Sequence, residues 1–193
     1  MAESGWLTLP AGISDLIEKG YGFYYNTAAT GVVAAVCGTG SAPMIWNPSD
    51  SDVRLKIIRI RFGSVSGTVI LAHIAYGLFL NCGSQIGTAQ PIVSHTLVAA
   101  VNAIPGAGRA SKIRFAPATV SMTGGPSYFM PNGLSSGGAL AAGPLYKLVD
   151  DVNGEIIINP GNAFFPFVSN GALALTAAVS VFALELPIST PVY

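Results

Sequence analysis

Ionisable side chains are scarce in this chain: 193 residues include nine acids, nine bases and two histidines. An average soluble domain carries roughly 25 % charged residues, so this surface must be built largely from Ser, Thr, Asn, Gly and exposed Ala. Surfaces of that kind tend to find partners. A formal charge of zero also supplies no long-range field for nucleic acid or an anionic membrane. Cysteine is nearly absent: Cys37 and Cys82 make neither a disulfide framework nor a metal-site spacing and read as small buried hydrophobes. Long apolar runs are missing too. Val69 to Leu80 and Leu173 to Leu184 fall short of the roughly 20 residues a membrane helix needs. Met1 to Pro10 carries Glu3 and no basic n-region, so no signal peptide is expected.

Catalytic chemistry is equally thin. His73 lies inside an apolar run and His95 opens a strand, neither with a carboxylate close in sequence, so each is read as a core or interface imidazole. Gly63 to Gly67 puts Val65 where a nucleophile-elbow serine belongs, and Gly106 to Arg109 lacks the third glycine of a dinucleotide loop. Asp50 and Asp52, like Asp150 and Asp151, are read as solvated turn formers rather than calcium ligands. A non-enzymatic protein with no catalytic, metal or cofactor site is expected.

What is present is an apolar half, 51 % of the residues, cut into short Val-, Ile-, Thr- and Phe-rich segments by Gly, Pro, Asn and Ser. With no sustained 3.6-residue period, this predicts an all-β antiparallel sandwich or barrel. Strands are expected near 31–37, 44–46, 53–62, 68–80, 94–101, 112–115, 119–122, 145–149, 154–158, 163–168 and 173–186, with a Gly-rich loop over 124–143. Within Arg54 to Phe62 the polar positions are even up to Lys56 and odd from Arg59. A single slip of a period-two pattern is the mark of a β-bulge at Ile57-Ile58, and a strand buried on both sides is the alternative.

The first 25 residues differ from the rest. Asp15 and Glu18 predict one capped helical turn stopped by Gly20, and Tyr21, Phe23, Tyr24 and Tyr25 follow as an aromatic cluster. Residues 1–25 are therefore expected to form a short N-terminal arm, folded back on its own sandwich or exchanged onto a neighbour, with 26–193 as one domain. A second expected contact set is the basic row Arg54, Lys56, Arg59 and Arg61. It belongs to a middle section, between Asp52 and Asp150, that holds no acid. Solvated faces and acidic partner surfaces account for that row better than nucleic acid, because the aromatic interleaving used for base stacking is missing.

Trp46-Asn47-Pro48 before the turn 49–52, Val65 to Thr68 with Ala72 to Tyr76 after it, Asn159-Pro160-Gly161, and the closing Glu185-Leu186-Pro187 resemble a group of tailed-bacteriophage virion structural proteins. The resemblance implies a β-sandwich of jelly-roll type on the phage particle, as a capsid cement or decoration subunit and commonly a homotrimer. Its implied partners are copies of itself and the major capsid protein or other virion subunits, in a virion assembled in the host cytoplasm. A receptor- or carbohydrate-binding sandwich of a tail or fibre is the competing expectation.

Overall fold

The computed structural model describes residues 12–27, 32–33, 43–66, 73–86, 92–94, 96–106, 109–117, 120–122, 127–132, 147–169 and 176–189. In chain order these form α1 (Ile13–Glu18), β1 (Gly22–Asn26), β2 (Val32–Val33), β3 (Met44–Asn47), β4 (Val53–Ser66), β5 (His73–Phe79), β6 (Ile92–Ser94) and β7 (Val101–Asn102). They continue with β8 (Arg114–Ala116), β9 (Ser121–Met122), β10 (Tyr128–Asn132), β11 (Lys147–Asp150), β12 (Ile156–Ile158), β13 (Asn162–Ser169) and β14 (Thr176–Pro187). The strands make two packed antiparallel sheets, ordered β11-β4-β14-β1-β7 and β10-β5-β13-β3-β8, with β6 and β9 as a separate ribbon. An all-β sandwich is what the turn spacing predicts.

Alternation along the strands builds three apolar layers. Inward residues of both sheets, among them Phe23, Tyr25, Ile45, Leu55, Ile60, Phe115, Phe164 and Val181, fill the space between them. The opposite side chains of the five-stranded sheet, Met44, Trp46, Phe79 and Phe165, pack with Ile92 and Met122 of the ribbon. On the outer face of the larger sheet, Ile58, Phe182, Leu184 and Leu186 are covered by Ile13, Leu16 and Ile17 of α1, which share one helical stripe at i, i+3 and i+4. The helix has Asp15 in its first turn and no side-chain cap, so the expected capping pair does not form. It ends at Gly20, whose φ of 78° is left-handed, as the sequence predicts.

The slip in β4 is present. Phe182 stands opposite Arg59 and the next residue, Ala183, opposite Ile57, so Ile58 is the extra residue. Leu55 and Ile57 face inward before the bulge and Ile60 and Phe62 after it, which keeps Arg59 and Arg61 on the outer side.

Three expectations change. The arm boundary at residue 25 falls inside β1, a strand paired with β14 on one side and β7 on the other, because Phe23 and Tyr25 alternate into the core. Residues 1–11 lie outside the described residues. The expected loop 124–143 contains β10, which pairs with β5 from Tyr128 opposite Leu78 to Asn132 opposite Ile74; 124–126 and 133–143 lie outside the described residues. The single strand expected over 94–101 is broken. It divides into β6, an isolated bridge from Val98 to Phe115, and β7, because it passes from the edge of one sheet to the edge of the other.

Two outcomes follow from this packing. Deleting Ile58 removes the extra residue and leaves Ile57, Ile60 and Phe62 inward and Arg59 and Arg61 outward in regular alternation, so that variant should still unfold cooperatively, whereas Ile58→Ala should keep the bulge and lose about 2 to 4 kcal/mol in denaturant titration. Cys82 is fully buried and its thiol is pushed up to about 11 by desolvation. In a Cys37→Ser background it should resist iodoacetamide at pH 8 until the protein is unfolded, and alkylation at the unfolded rate in the native state would contradict its placement.

Candidate interaction surfaces

The eight residues expected at interfaces separate by strand parity. Phe23 and Tyr25 are fully buried in the chain's own core, where Tyr25 meets Phe115 edge-on with ring centroids 5.7 Å apart. A role in partner contacts does not fit them. Tyr21 and Tyr24 point to the outer face and are half-buried beneath α1; Tyr24 lies 4.9 Å from the Phe182 ring, and the Arg109 guanidinium sits 4.2 Å above the Tyr21 ring. The aromatic cluster thus secures α1 to its own sheet.

The basic row occupies the same outer face. Arg59 is buried and ion-paired with Asp151, while Arg54 donates from Nη2 to the Ile188 carbonyl at 2.7 Å. Its Nε is buried without a hydrogen-bond partner. Lys56 lays its stem over Gly154, whose φ of 86° leaves the backbone bare where a Cβ would meet Lys56 Cε at 2.0 Å. Arg61 is half-buried with no ion pair among the described residues. Two of the four cations are therefore engaged within the chain.

Sequence reasoning missed two polar pins between the sheets. Asn47, at the end of β3, is fully buried and donates from Nδ2 to the carbonyls of Val53 at 2.8 Å and Ile158 at 3.0 Å, tying the smaller sheet to β4 and β12. Glu185 of β14 is buried and faces inward. Its carboxylate accepts hydrogen bonds from the Tyr25 hydroxyl at 2.7 Å, the Ser111 hydroxyl and the Lys112 backbone N–H at 3.0 Å. The signal was a lone acid inside the apolar run Ala183-Leu184-Glu185-Leu186. Trp46, also from the Trp-Asn-Pro string, is buried, donates to the Gly83 carbonyl at 3.2 Å and carries the Arg114 guanidinium 4.5 Å over its ring.

Lys112 and Asp52 pair at 2.6 Å on the surface, and this contact holds the Asp52 carboxyl below its usual range. Any stability it adds is present above about pH 4 and fades as pH falls through the lowered value. Among the described residues no three His, Cys, Asp or Glu side chains gather as a metal site. His73 begins β5 opposite Ser169, and His95 lies outside the described residues.

The exposed apolar groups are concentrated elsewhere. From just before the bridge at Val98 to the start of β7, Leu97, Val98 and Val101 expose 43 %, 43 % and 58 % of their surface, and every residue from Thr96 to Ala99 is exposed. Among the described residues β7 pairs only with β1, so its other side is an open sheet edge there. A groove of about 460 Å³ runs along it, lined by Ala100, Val101, Asn102, Pro105 and Arg109. Ile86 and Ile188 are further exposed hydrophobes at other sites.

Burial and the negative Glu185 carboxylate push the Tyr25 phenol well above 10. The folded state thus keeps a proton that the unfolded chain releases, so stability should be intact below about pH 10 and fall as pH rises beyond it. Tyr25→Phe should remove that share of the alkaline slope and cost about 2 kcal/mol at pH 7, because a charged acceptor loses a donor. Chemical denaturation at pH 7 and above pH 10 reads both, and equal slopes for wild type and variant would contradict the coupling. No protein-family model, curated protein sequence or solved structure matches the chain.

Proposed function

We propose that this protein is a non-enzymatic structural subunit that works by packing against other protein subunits, as a capsid cement or decoration protein of a tailed-phage virion. The observation that supports packing is the contiguous exposed strip Leu97, Val98 and Val101 beside an open sheet edge. Burying the exposed half of each side chain contributes about 1 kcal/mol, and an unpaired edge supplies backbone donors and acceptors to a neighbour. The virion assignment rests on the residues around Trp46-Asn47-Pro48. Asn47 and Trp46 have a physical role there, as an inter-sheet clamp and a core plug, which gives that string a structural use in a rigid shell-binding sandwich.

In this proposal the partners are further copies of the chain, most simply a trimer, and the major capsid protein or other virion subunits. Localisation is then the capsid surface. No helix among the described residues is long and apolar enough to cross a membrane. Native mass spectrometry at micromolar concentration should show an oligomer, and purified phage shells should retain the protein through sedimentation. Leu97→Asp and Val101→Asp should each fold, as judged by circular dichroism, yet weaken association at least about tenfold, because a charge would be desolvated at the contact. A wild-type chain that stays monomeric and does not cosediment with shells would overturn the proposal.

A further inference from the structure

Among the described residues the larger sheet ends on two unpaired edges of complementary character. One is β7, with exposed Val101 and the Arg109 guanidinium on the rim of its groove. Arg109 stacks on Tyr21 and makes no close ion pair among the described residues; the nearest charge it is seen to act on is the Asp52 carboxylate, which it helps to hold low after Lys112. The other is the β11-β12 edge. Because β14 pairs with β4 along its whole length, β11 and β12 must both lie on β4's opposite side, end to end. The break between them faces the bulge, where the Asn153 N–H donates to the Ile58 carbonyl at 3.0 Å. Glu155 projects from this edge, exposed and with no hydrogen bond or ion pair from its side chain among the described residues.

The two edges are also level with one another. A single cross-strand row runs Asn102, Phe23, Ala183, Ile57, Ile156, so the groove beside Asn102 and the carboxylate next to Ile156 stand at opposite ends of one line of residues. Every neighbouring pair on the path is antiparallel, which makes β7 parallel to β11 and β12. A cyclic head-to-tail contact can therefore set one copy's β7 edge alongside the next copy's β12 edge running in the same direction, with the twist of the sheet, roughly 20° per strand, tilting the strands against the ring axis.

We propose that the protein closes into a ring of identical subunits by this head-to-tail contact, with the β7 edge, Val101 and Arg109 of one copy receiving Ile156, Ile157 and Glu155 of the next. The proposal rests on the subunit-packing function above and names its surface. A rotation that closes leaves neither edge unpaired, whereas an isologous contact would set β7 against β7 and bring two Arg109 guanidinium groups together. Charge complementarity between Arg109 and Glu155 fixes which edge meets which, the role that charged groups play best at an interface.

A charge exchange tests it, read by native mass spectrometry and sedimentation over a concentration series of the full chain. Arg109→Glu and Glu155→Arg should each raise the subunit dissociation constant about tenfold or more, through like-charge contact. The double variant should return to within about threefold of wild type. Glu155→Arg alters an exposed side chain, so it keeps the test sound if Arg109→Glu, losing its stacking on Tyr21, unfolds. Oligomers unchanged by either substitution would overturn the edge contact while leaving subunit packing in place. A double variant no tighter than the weaker single would show that the two residues do not meet, and a monomeric wild type would remove the ring altogether.

Discussion

One additional residue in β4 decides which side chains the larger sheet buries. The chain presents Arg54, Lys56, Arg59 and Arg61 within eight residues, and a regular strand cannot keep all four on one face. Ile58 absorbs the mismatch as a bulge opposite Phe182 and Ala183. Its cost is a local break in pairing; the alternative is two guanidinium groups in an apolar core, which is far more expensive. The same bulge separates β11 from β12, takes up the Asn153 N–H, and places Arg59 beside Asp151. The outer face, the ion pair and the broken edge all follow from it.

Two buried polar side chains then fix how the sheets sit on one another. Apolar burial is non-directional, so a core of Ile, Val and Phe tolerates sliding. Asn47 and Glu185 do not, because each would lose hydrogen bonds it cannot replace from water. Asn47 joins β3 to β4 and β12, and Glu185 joins β14 and β1 to the segment leading into β8. Both contacts lie on the inner side of the larger sheet, one at the β4-β12 pair and one at β14 and β1, and together they oppose sliding of the two sheets.

With the interior settled, what remains for function is the perimeter. The outer face carries α1 and a basic row that is partly neutralised within the chain, so it offers less than its sequence suggests. Among the described residues the edges differ: one is apolar with a cation outside any close ion pair, the other carries a carboxylate outside any ion pair. A protein this poor in charge has few such groups to place, and each one left without a partner on a sheet edge marks where a partner would be oriented. Neutral overall charge also lets identical copies approach without net repulsion.

The sequence by itself determined the β class, the strand periodicity and the stop at Gly20, because each is written in local alternation or local backbone freedom, and it narrowed Ile57-Ile58 to a bulge or a strand buried on both sides, between which the register decided. It also marked Leu55, Ile60 and Phe62 as one face, since parity along a strand needs no knowledge of its neighbours. Only the tertiary structure decided that Phe23 to Tyr25 belong to a strand inside the sheet, that Glu185 meets Ser111 and Asn47 meets Ile158, and that Asn102, in the groove Arg109 lines, and Ile156, next to Glu155, stand at the two ends of one row. Those facts depend on which strands become neighbours across tens of residues, and pairing partners are selected by the sum of packing over the whole sandwich, a quantity that no local pattern of residues contains.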